Sequence, residues 1–96
     1  MHYILVDKQI LEVNYFEYCK WETTANRLIN ETTIDDMKII TRFTGRNIFA
    51  FTSDRLLFET TIEGGLFDGY SDYSSTYEEA LKTHEEVCAK VTFYKP

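Results

Sequence analysis

Nonpolar residues recur at three-and-four spacing through Thr76–Val91, TYEEALKTHEEVCAKV. Tyr77, Ala80, Leu81, His84, Val87, Cys88 and Val91 fall on one helical face, and Glu78, Glu79, Lys82, Glu85, Glu86 and Lys90 fill the other. Thr76 with Glu79 forms a capping box, the hydroxyl accepting from the first turn while the carboxylate reaches back. Ser75 with Glu78 offers the same box one residue earlier. A helix striped in this way needs a sheet or further helices beneath it.

The remaining periodicity predicts strands and one shorter helix. Tyr3–Asp7 and Ile10–Val13 read as short strands joined by a tight connection. Asn14 then caps a helix running to about Thr24, with Glu17 completing a box and Val13 set to staple onto Tyr18. Arg27–Ile34 and Lys38–Phe43 alternate as a hairpin across Asp35-Asp36-Met37. Ile48–Phe51 is a possible short strand between turns, and Leu56–Glu63 is a stronger one bounded by Gly64-Gly65. Leu66–Tyr73 reads as a loop, and Thr92–Tyr94 as a short edge strand that Pro96 ends.

Short connections imply antiparallel neighbours, because parallel ones need long crossovers. The expected fold is therefore α+β: a small, mostly antiparallel sheet packed on one face by two helices, in the order ββαββ(β)βα. Residues 1–96 form a single domain on length, with no repeat or linker.

Charge narrows the function classes. Ten basic residues against 16 acidic ones give a net charge of −6. Phosphate backbones favour basic surfaces, so direct nucleic-acid binding is not expected. No apolar run is long enough to span a bilayer, and the start MHYILVDKQI does not read as a signal peptide. The expectation is a soluble intracellular domain with Cys19 and Cys88 as free thiols.

Candidate chemistry is sparse. His84 lies on the apolar stripe, with Glu59 and Glu63 on a neighbouring strand as candidate orienters; a core histidine is the simpler reading. His84 and Cys88 are four apart on one helical face, but no second ligand pair accompanies them, so neither metal nor cofactor is expected. No nucleophile motif occurs, and the chain is not expected to be an enzyme. Leu66–Tyr73 stands out: Phe67, Asp68, Tyr70, Asp72 and Tyr73 mix aromatic anchors with acids around Gly69. An alternative anion site would use Arg42, Arg46 and Arg55, with Phe49 or Phe51 to stack on a base.

Tyr3-Ile4-Leu5, Trp21-Glu22, Thr33, Thr41, Phe43, Gly45, Leu57-Phe58-Glu59-Thr60, Gly64-Gly65, Tyr73, Thr76, Glu79-Ala80 and His84-Glu85 carry a resemblance across most of the chain. On these residues it resembles a family of small uncharacterised phage and prophage proteins. One departure is Gly45-Arg46-Asn47-Ile48, where that family shows Gly-Leu-Asp-His. The resemblance implies phage origin and a place in the host cytoplasm, with no functional residue to carry over. The expected function is a small acidic interaction protein that binds and inhibits a host protein with a basic or mixed surface, for example one of an anti-phage defence system. The alternative is a module that sequesters a nucleotide-type signal. The sequence sets no oligomeric state.

Overall fold

The computed structural model describes residues 2–45 and 55–96. Strands β1 (His2–Val6) and β2 (Gln9–Val13) form a hairpin whose turn residues Asp7 and Lys8 both take positive φ. Helix α1 (Tyr15–Glu22) follows, its Asn14 cap accepting from the Glu17 amide at 2.8 Å. Strands β3 (Leu28–Ile34), β4 (Met37–Phe43), β5 (Phe58–Glu63) and β6 (Ser71–Ser74) precede helix α2 (Tyr77–Tyr94). The α+β class expected from the sequence stands, with the strands divided between the hairpin and a four-stranded antiparallel sheet ordered β3-β4-β5-β6.

Several boundaries differ from the sequence reading: β5 begins at Phe58 rather than Leu56, and α1 ends at Glu22 rather than near Thr24. Met37 belongs to β4, leaving Asp35-Asp36 as the turn, and Ser71–Tyr73 of the expected loop enter β6. Thr92–Tyr94 do not return as an edge strand; they finish α2. Val91 still faces the core there, the Thr92 hydroxyl donates back to the Cys88 carbonyl, and Lys95 N–H closes onto Val91. The helix therefore runs until Pro96 is near. The expected strand Ile48–Phe51 lies outside the described residues.

Register decides which side chains meet α2. Ile39 opposes Ile62, Thr41 opposes Thr60 and Phe43 opposes Phe58, so these alternate positions share one face. Against that face α2 sets Ala80, His84, Val87 and Val91, all buried. The core falls into two apolar clusters. Tyr3, Phe43, Leu57, Phe58 and Ala80 make one, with the hairpin and Trp21 packed on it. Met37, Ile39, Ile62, Val87 and Val91 make the other, with Phe67 and Cys88 beside it. Leu81 and Cys88 are only half-buried, so the stripe is centred one position away from Leu81. Both cysteines are free thiols.

The hairpin and α1 are fastened through Gly45 and Arg27. Tyr3 N–H donates to the Gly45 carbonyl at 3.1 Å, and Gly45 has φ of +73°. A Cβ there would sit 2.6 Å from the Tyr18 ring and 2.8 Å from the Tyr3 carbonyl oxygen, so only glycine fits. Arg27 donates to the Tyr18 hydroxyl at 2.7 Å, pairs with Glu22 at 3.0 Å and lies against the Trp21 ring.

Ile39 is wholly buried under α2, whereas Leu81 is not. Ile39→Ala is expected to cost about 2–5 kcal/mol and Leu81→Ala clearly less, measured by urea denaturation. Equal costs would mean that the buried face of α2 has been misidentified.

Candidate functional site

His84 occupies the centre of the α2–sheet interface and is 1% exposed. One ring nitrogen, Nε2, lies 2.9 Å from the Thr32 hydroxyl on β3, and Nδ1 lies 2.8 Å from the Thr41 hydroxyl on β4. Thr41 is in turn 2.7 Å from the Thr60 hydroxyl on β5. Helix and three strands are thus joined by one buried chain of polar atoms. The carboxylates expected to orient His84 do not reach it. Thr60 and Ile62 face the helix, so strand alternation turns Glu59 and Glu63 to the opposite side, where Glu63 pairs with Arg42 at 3.8 Å. Burial pushes the imidazole below its ordinary value, with the Glu85 charge pulling weakly the other way.

Cys88 is also held in its neutral form. Burial pushes its thiol up, partly offset by a hydrogen bond with Thr32, the same residue that bonds His84. A thiol raised and an imidazole lowered both oppose the ion pair that activates a nucleophile. Among the described residues, no three His, Cys, Asp or Glu side chains come together as a metal site. No helix among them is long and apolar enough to cross a membrane.

A second feature lies at the C-terminal end of α2. An apolar groove of about 130 Å³ is lined by Ile62, Phe67 and Tyr70 on one side and Val87, Lys90, Val91 and Tyr94 on the other. Tyr94 of the lining is 66% exposed, Phe93 (79%) meets it edge-on with ring centroids 4.8 Å apart, and Leu66 (71%) precedes Phe67 in the loop. The acidic-aromatic loop does contribute here, but unevenly. Phe67 and Tyr70 line the groove. Asp68 is exposed and accepts from the Gly64 amide at 2.7 Å, which ties it back onto its own loop. Asp72 accepts from the Tyr73 amide at 2.8 Å and from the Tyr70 hydroxyl at 3.4 Å. Burial, then the Asp72 charge and hydrogen bond, push the Tyr70 hydroxyl up. Tyr73 opposes Glu59 and so points away from α2, because its neighbour Ser74 bonds Thr83 of that helix. Lys90, Val91 and Tyr94 were absent from the sequence-based site. The signal for them was the helical period itself, continued from Val87 through Tyr94.

Of the three arginines, the two that are described, Arg42 and Arg55, lie apart. Arg42 lies on the sheet face away from α2, paired with Glu63. Arg55 lies 5.3 Å from the Tyr3 ring centroid and is pushed up by a hydrogen bond with that tyrosine and then by its charge, with Glu12 adding to it. Arg46, Phe49 and Phe51 lie outside the described residues. Arg55 does line a mixed cavity of about 360 Å³ with Tyr3, Ile10, Glu12, Ser75 and Thr76.

His84 makes stability depend on pH with a definite sign. Its folded value lies below the unfolded one, so the unfolded chain binds the extra proton first as pH falls. Stability is expected to be full above about pH 6.5, the ordinary imidazole value, and to decline below it. His84→Gln should be less stable at neutral pH yet lack this decline between neutrality and the carboxylate range. Parallel pH profiles of the two proteins, followed by urea midpoints, would contradict the assignment.

No protein-family model, curated protein or solved structure matches this chain.

Proposed function

We propose that this chain is a small acidic interaction protein that docks a partner protein on the face formed by the 64–70 loop and the last turns of α2. The observation that carries the reading is the exposed aromatic set around the groove. A buried aromatic side chain covers about 150–250 Å², so Leu66, Tyr70, Phe93 and Tyr94 together leave on the order of 400–500 Å² of largely apolar surface open. A standard interface uses about 800 Å² per partner, somewhat more than half of it apolar. The patch has the size that such an interface requires.

The resemblance to phage and prophage proteins supports a host protein as the partner and inhibition as the outcome. A component of an anti-phage defence system is the target class that a phage origin favours, and the host cytoplasm is where the two would meet. A non-enzymatic role is supported by His84, whose ring nitrogens are both engaged by threonine hydroxyls inside the core. Net charge of −6 supports a basic or mixed partner surface, by steering encounter.

One observation favours a second reading, the sequestering of a nucleotide-type signal: Arg55 and Tyr3 share the 360 Å³ cavity. Glu12 in the same wall opposes an anion there. The α2 N-terminus is also committed to its own capping box, Thr76 to the Glu79 amide and Glu79 to the Ser75 amide.

Capture from host lysate by wild type, compared with Tyr94→Ala and Phe16→Ala, tests the first reading. Phe16 is 81% exposed but stands on α1, away from the groove. Tyr94→Ala is expected to weaken the captured complex by about 1–3 kcal/mol, mainly through faster dissociation, and Phe16→Ala to leave it intact. Asp72→Asn should slow association, less so as salt rises. Capture indifferent to Tyr94, together with a thermal shift produced by nucleotides, would transfer the function to the Arg55 cavity.

A further inference from the structure

The groove's dimensions and its rim define the kind of segment that fits. Ligand pockets for metabolites run to about 300–1,000 Å³, whereas this groove encloses about 130 Å³, room for one bulky side chain. Its floor is made by Ile62, Phe67, Val87 and Val91, with few polar groups to orient a small molecule. The Tyr70 hydroxyl already donates to Asp72.

Carboxylates flank both walls, and neither has a cationic partner among the described residues. Asp72 stands behind Tyr70 on the loop side, and its two hydrogen-bond donors, the Tyr73 amide and the Tyr70 hydroxyl, are neutral. Glu86 is exposed on α2, one residue before Val87 and one turn before Lys90. The four ion pairs among the described residues involve neither of them. Lys90 is the single cation of the lining; it is exposed, and its long stem lets the ammonium extend into water beyond the groove.

Building on the interaction reading above, we infer that the groove receives a cationic segment of the partner protein. One bulky apolar side chain enters between Phe67, Tyr70, Val87 and Tyr94, and neighbouring Lys or Arg residues reach Asp72 on one wall and Glu86 on the other. The exposed Tyr70 face adds a surface on which a guanidinium can stack. A second copy of this chain is the poorer occupant, because it would bring the same carboxylates and a further net charge of −6 to the contact.

The probe is a short synthetic peptide with one Phe flanked by Arg, titrated into isotope-labelled protein. Two control peptides replace the Phe by Ala or the Arg residues by Glu. The parent peptide is expected to shift the Val87 and Val91 methyl and Tyr94 ring resonances saturably. Either control, and Tyr94→Ala in the protein, should weaken binding by about fivefold or more, the fold-change of a hot-spot contact. Unchanged Ile39 methyl shifts in the variant will show that its core is intact. Equal binding of the Glu peptide, or shifts confined to residues outside the groove, overturns the inference. Groove shifts that grow with protein concentration alone, and vanish in Tyr94→Ala, overturn it in favour of a second copy. Tyr94-dependent capture of a host protein with no response to the peptide removes the cationic segment while leaving the interaction reading in place. Peptide binding without Tyr94-dependent capture does the reverse.

Discussion

The hydrogen-bonded row Thr32–His84–Thr41–Thr60 is the constraint on which the rest of the molecule depends. It crosses β3, β4 and β5 and ties all three to α2, with His84, Thr41 and Thr60 buried and Thr32 half-buried at its edge. Apolar packing alone would let α2 slide or rotate over the sheet at modest cost, since its stripe is built from small and medium side chains. A buried imidazole with two fixed partners does not tolerate this. A shift that broke one of these bonds would leave a polar atom unsatisfied, at about 1–3 kcal/mol. The row therefore contributes register and uniqueness more than net stability, which is the best-supported use of polar groups in a core.

That row also divides the core. On one side lies the Tyr3–Phe43–Phe58 cluster, enlarged by the hairpin, α1 and the Arg27 clamp. On the other lies the Met37–Ile39–Ile62 cluster, covered by α2 and the 64–70 loop. The first half is roofed by two extra elements. The second is bordered by the 64–70 loop alone, and a groove remains between that loop, Ile62 of β5 and the last turns of α2. The same asymmetry explains why the largest exposed aromatics of α2 are its last two, Phe93 and Tyr94.

How much of this the sequence disclosed depended on whether the determining contact was local. The Asn14 cap, the Thr76 cap, the β3–β4 hairpin and the α2 stripe are short-range patterns, and they appear where the sequence placed them. The end of α2 was misread because Thr and aromatics after Val91 have high strand propensity, while burial of Val91 and the Thr92 back-bond favour helix. His84 was legible as a core histidine, but its partners were not. Thr32, Thr41 and Thr60 are far from it in sequence, and only strand register brings them to its ring. A threonine within each apolar run, Ile39–Thr41–Phe43 and Phe58–Thr60–Ile62, was the available sign. In the 66–73 loop, alternation between faces separated Tyr73 from Phe67 and Tyr70, a distinction that composition cannot make.

The C-terminal end of α2 is anchored by few contacts, and they are placed so that they leave its aromatics free. Val91 is the last buried residue of the helix, and Lys95 reaches Asp35 at 2.9 Å in the β3–β4 turn. Successive helical positions turn by about 100°, so this pair holds the side of the helix over β3 and presents Lys90 and Tyr94 toward the loop. An exposed ion pair of this kind contributes at most about 1 kcal/mol, enough to orient an end already held by Val91. Folding stability gains little from the aromatic character of Phe93 and Tyr94, which are mostly exposed. Two large rings facing water lose the free energy that burial would return, and they recover it only against another surface. Their position beside the second core cluster links the buried histidine row, which fixes α2, to the face on which the interaction reading rests.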